Sequence, residues 1–139
     1  MTRQDAMKAL LLGIAQDQQA YDELAALLQQ QFEATIRHQN ERLGQLAETI
    51  SALVDRMQER RAQRVALAQQ LVGVNATIMQ AFSLLKNPAR ERMEGDWKAL
   101  EIKVIECKRL GKRNSDLLVE QYSIMQRVLH GEELTYAPA

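Results

Sequence analysis

Cys107, His38, His130 and the arginines Arg56, Arg60, Arg61 and Arg64 are the side chains whose chemistry could reach beyond packing. A thiol or hydroxyl nucleophile needs a base beside it. No histidine here stands next to a serine or cysteine in a known nucleophile pattern, and no glycine-rich phosphate loop is present. Two histidines without carboxylate or cysteine neighbours at ligand spacing do not make a metal site. The arginines are interleaved with Asp55 and Glu59 and read as a solvated, paired face. Cys107 lies on a helical seam, where a free thiol behaves as a small hydrophobe. The expectation is therefore no enzymatic activity, no metal and no cofactor.

The segment Leu110-Gly111-Lys112-Arg113-Asn114-Ser115-Asp116-Leu117-Leu118 poses a different question. Its flanks read as a long amphipathic helix, yet Gly111 and Asn114 fall on the apolar seam, one turn apart. Polar or small seam residues fix register at some cost in stability. They can also leave a place where another helix approaches.

The elements that carry these residues follow from composition and period. The chain has 139 residues, 18 basic and 18 acidic, with 6 glycines, 2 prolines and 4% aromatics. The length fits one domain, and the scarcity of chain breakers favours long helices over a many-turned β fold. Balanced charge offers no footprint for nucleic acid. A lone cysteine excludes an internal disulfide and suits a reducing compartment. The longest apolar run, residues 9–15, is too short to span a bilayer. Asp5 in the would-be basic leader argues against a signal peptide.

Ile36, Leu43, Ile50, Met57, Leu71, Ile78 and Leu85 recur at sevens, interrupted at Arg64. Leu46, Leu53, Leu67, Val74 and Ala81 follow three residues later, interrupted at Arg60. Together they form one coiled-coil-like stripe. Met7, Leu10, Leu11 and Ile14, then Tyr21, Leu24, Leu28 and Phe32, form another, interrupted at Asp17 and Gln18. Thr2 with Asp5 suits an N-cap, and Asn87-Pro88 suits a helix start. A third seam runs from Trp97 to Val128. Helices are expected at about 3–37, 41–85 and 88–130; His38-Gln39-Asn40 is a weak stop, which leaves open that the first two helices are continuous. The fold class is all-α: an elongated antiparallel three-helix bundle over residues 1–130, with a short flexible tail at 131–139. Counting outward from the two turns puts Asp17, Gln18, Arg60, Arg64 and Asn114 at one height, with Gly111 beside them. This predicts a shared polar layer in which Asp17 is the counter-ion and Gly111 makes room for the arginines.

Residues 110–118 resemble the Leu-Asn-x-x-Asn-Gly-x-Leu-Leu signature in the last helix of the FlgN family. Leu110, Asn114, Leu117 and Leu118 match. Gly111 replaces the first Asn and Ser115 replaces the Gly. The end Leu134-Thr135-Tyr136-Ala137-Pro138 is similar to that family's terminal Thr-Tyr-Gly-containing segment. The resemblance implies a helical cytoplasmic chaperone for flagellar hook–filament junction (hook-associated) proteins. Such a protein binds the C-terminal amphipathic helix of its client, keeps the client unpolymerised and delivers it to the type III export gate. Helix three carries a third apolar row beside its seam, so Leu110, Asn114, Leu117, Leu118, Ile124, Met125 and Leu129 are the expected client-binding residues. Leu134, Tyr136 and Pro138 are the expected gate-docking residues, with Tyr136 rather than Tyr122 matching the family tyrosine. The expected partners are protein clients and the gate, with no nucleic acid and no stable membrane insertion, in a monomer or weak homodimer. Two readings compete with this one. One is a coiled-coil structural or stalk component of the export apparatus, which would favour two continuous helices. The other is a homo-oligomeric coiled coil without a client.

Overall fold

A computed structural model describes the backbone of residues 2–136 and the side-chain surroundings up to Gly131. Its elements are α1 (Arg3–Ile36), α2 (Asn40–Leu71), the short α3 (Ile78–Phe82) and α4 (Ala89–Tyr136). Among the described residues there is no strand, and no helix is long and apolar enough to cross a membrane.

The start of α1 follows from its first residues. The Thr2 hydroxyl accepts from the Asp5 amide at 3.0 Å, which satisfies one of the free N–H groups of the first turn. A turn at 37–39, with His38 at φ 55°, reverses the chain into α2. The Arg3 guanidinium then donates to the Leu71 carbonyl at 3.0 Å, so the beginning of α1 covers the end of α2. These two helices are antiparallel.

Helix two was expected to run to residue 85, but α2 ends at Leu71. Gly73 at φ 138° and Asn75 at φ 61° occupy backbone regions that a helix cannot use. Thr77 then restarts the chain through a capping box with Gln80. The sevenfold spacing of Leu71, Ile78 and Leu85 thus spans a turn rather than one stripe. The turn lets α3 fold back as a plug. Phe82 is fully buried with Ala6, Leu10, Ile14, Leu71, Met93 and Leu100, and its ring meets Trp97 edge-on at 6.4 Å.

α4 starts beside Pro88, as expected, and runs parallel to α1. The pairs Gln18–Asp96, Asp22–Lys103 and Thr35–Gln121 rise together along both helices. α1 packs along both α2 and α4, whereas α2 and α4 make no close backbone approach to each other. The expected closed bundle of three is therefore open on one side. A second cluster, with Leu24, Leu28, Leu53, Met57, Cys107 and Leu110, fills the middle of the body. The helix also does not stop at 130: it continues through Gly131 to Tyr136, because a single glycine costs a helix only about 1 kcal/mol.

Gly111 does not make room for arginines. A Cβ placed there would meet nothing within 4 Å. Gly111→Ala is therefore expected to raise stability by roughly 0.5–1 kcal/mol, because alanine has less backbone freedom to lose than glycine. A thermal melt followed by circular dichroism checks this. A lowered midpoint would mean the position needs the glycine.

Candidate functional site

The lower polar layer is an ion-pair triad. Arg60 Nε donates to Asp17 Oδ1 at 2.6 Å and Arg64 Nη1 to Asp17 Oδ2 at 2.5 Å. Asp17 is 1% exposed, while the arginine side chains keep 19% and 17% of their surface. A buried carboxylate with both oxygens engaged has its desolvation offset, and the arginine heads still reach water. Gln18 sits beside the triad and donates to the Asp96 carbonyl at 2.7 Å.

Asn114 is not part of this layer. It is 1% exposed and donates to the Leu28 carbonyl at 2.7 Å and to Gln31 Oε1 at 2.9 Å. Those partners lie 11 and 14 residues beyond Asp17 on α1, about 16–21 Å along the axis. The residue of α4 at the height of the triad is Trp97, whose ring lies 5.3 Å from the Arg64 guanidinium. The expected single layer is thus two layers. Counting from the second turn failed because residues 72–88 leave the helical path. The upper layer also holds Arg113, which the sequence reading did not single out. Arg113 donates to Asn114 Oδ1 and to Gln29 Oε1, and stacks 3.7 Å over Phe32.

Beyond this layer the body ends and α4 does not. Gln121 Nε2 donates to the Thr35 carbonyl at 3.1 Å, one residue before α1 stops. The 15 residues from Tyr122 to Tyr136 therefore overhang by about 22 Å. The stripe that packs on α1 through Cys107, Leu110 and Asn114 continues along this overhang. Leu118, Tyr122, Met125 and Leu129 follow one another at helical spacing with Ile124 and Val128 beside them, and all six are exposed. Met125 is 56% exposed. Asp116, Glu120 and Arg127 fall on the opposite face by their spacing. No other helix packs on the overhang among the described residues.

The expected client-binding residues therefore divide. Leu118, Ile124, Met125 and Leu129 are exposed on this face, and Leu117 is half-buried at its root. Leu110 and Asn114 belong to the body instead: Leu110 packs in the central cluster, and Asn114 is held to α1. Tyr122 and Val128 are further members of the face. Leu134 and Tyr136 lie within the last turns of α4, and Pro138 lies outside the described residues.

Cys107 is buried, with its thiol against the Tyr21 carbonyl at 3.5 Å. Burial pushes its pKa up, with Glu106 adding to the effect, which is the opposite of an activated nucleophile. No group of three or more potential metal ligands converges among the described residues.

The body is all-helical, and the end of α4 presents an amphipathic face whose apolar side chains are exposed. The family model described as FlgN protein matches residues 1–130, and the chain belongs to that family, the flagellar export chaperones. No curated protein and no solved structure matches it.

Proposed function

We propose that this protein is a cytoplasmic, non-catalytic export chaperone that holds the C-terminal amphipathic helix of a flagellar hook-associated protein on the α4 overhang. The observation that carries this reading is the apolar face from Leu118 to Leu129, which continues a packed seam into solvent. A client helix laid on it would bury both apolar stripes, which neither partner can do alone. Methionine at position 125 adapts to clients of differing side-chain shape. The stalk reading is less well supported, because the turn at 37–39 separates α1 from α2 where a stalk would favour continuous helices.

The test is calorimetric titration of the purified protein with a client's C-terminal helical peptide. Saturable binding to one site is expected, and absence of binding at millimolar peptide would remove the proposal. Delivery is assigned to the end of α4, through Leu134 and Tyr136, together with Pro138. Tyr136→Ala is expected to leave client affinity unchanged while weakening capture by the export gate about tenfold or more, since interface tyrosines carry a large share of binding energy. Equal gate capture by the variant and the parent would exclude Tyr136 from docking.

A further inference from the structure

The open side of the body is a groove distinct from the overhang. Tyr21 of α1 forms its floor, and its volume is about 680 Å³. Arg61, Val65 and Ala68 line one wall, and Val104, Ile105 and Lys108 line the other. Each wall is a stripe at helical spacing, and neither α2 nor α4 covers the other's. Ile105 is 68% exposed and Val65 50% exposed. From Trp97 to Lys108 the α4 wall is about 16 Å long, which seats two to three turns of a helix. Two facing stripes over an apolar floor are what a fourth helix needs to complete a bundle.

The charges on this groove select the kind of helix. Arg64 already has its counter-ion in Asp17. Among the described residues, neither Arg61 nor Lys108 is held in an ion pair. Glu101 is the one acidic side chain among the groove-lining residues. The groove therefore carries a net positive charge, with Arg61 and Lys108 on opposite walls of an apolar trough and Glu101, also outside any ion pair among the described residues, about two turns before Lys108 on the α4 wall. We infer that this groove is a second helix-docking site, which takes an amphipathic helix of a protein partner with carboxylates flanking its apolar stripe. It does not depend on what the overhang binds.

Trp97 lines the groove and is the only tryptophan in the chain, so its emission reports occupancy. The probe is a capped peptide of about four helical turns, with a Leu/Ala stripe, Glu on both flanks and no aromatic residue. Its twin carries Lys in place of Glu. Titration of the full chain is followed by Trp97 fluorescence and by calorimetry. The expected result is saturable binding of the Glu peptide and binding of the Lys twin weaker by about tenfold or more. Ile105→Asp, Val65→Asp and Arg61→Glu, each checked for helicity, should weaken the Glu peptide by a similar factor, while Ile124→Asp should not. No saturable signal by either method, equal affinity for the twins, or loss on Ile124→Asp without loss on Ile105→Asp and Val65→Asp would each overturn the inference. The last result would put the peptide on the overhang.

Discussion

Replacing Ile124 and Leu129 together by aspartate is expected to weaken binding of the client helix by roughly 100-fold or more while leaving the body folded. Both side chains are exposed in the free protein, so their loss removes no packing from either core. On binding, each would bury most of a large apolar side chain, worth about 1.5–3 kcal/mol apiece. Two carboxylates on the same face would add a desolvation cost. The thermal midpoint should barely move, because substitutions at exposed positions usually fall within about 0.5 kcal/mol. Calorimetry with the client peptide and a parallel melt separate the two effects. Unchanged affinity would move the client to another surface. A large fall in the midpoint would mean that the face already has a partner within the protein.

Asp17→Ala should have the largest effect on stability, about 3 kcal/mol, or a fall in melting temperature on the order of 10 °C. The variant leaves Arg60 and Arg64 converging on a space with no counter-ion. Their guanidinium groups keep some contact with water, which places the cost at the lower end of the range for a broken buried ion pair. A triple replacement, Asp17→Leu with Arg60→Met and Arg64→Leu, is expected to recover most of the loss, since a well-packed apolar layer can substitute for a buried triad. If Asp17→Ala cost less than about 1 kcal/mol, the triad would be acting as an exposed surface pair. Client binding should persist in both variants at temperatures where they are folded, because the triad lies far from the overhang along α1.

The sequence was legible wherever local chemistry had one meaning. Thr2 with Asp5 and the break before Ala89 lie close to where they are expected, whereas His38-Gln39-Asn40 is a weak stop in the sequence and the structure is what separates α1 from α2 there. The triad was also legible, because Asp17, Arg60 and Arg64 interrupt seams on two helices joined by a short turn. The end of α2 was misread because sevenfold spacing persists through Gly73 and Asn75, and a period carries no information about φ. The turn chemistry was present, including the Thr77–Gln80 capping box, but it competes with the period and wins. That one misreading displaced every height count on α4 and drew Asn114 into the wrong layer. The division of the client-binding residues has another cause. Leu110 and Met125 occupy the same face of the same helix. Only the length of α1 decides which is covered, and helix ends are the least legible feature of a sequence. The groove was not legible because its walls are minor stripes on two separate helices, and only their spatial arrangement brings them together.

The continuity of α4 also bears on how its free end is held. Starting a helix is the unfavourable step, whereas each added residue then costs little. The 33 residues from Ala89 to Gln121 are packed in the body, so the nucleus is permanent and the overhang needs only propagation. Its amide hydrogens should exchange progressively faster from Tyr122 towards Tyr136, as fraying from one end requires, with no all-or-none step between body and tip. A partner arriving at Leu118 would meet a turn that is already formed and could consolidate the following turns in order, closing along α4 like a zip.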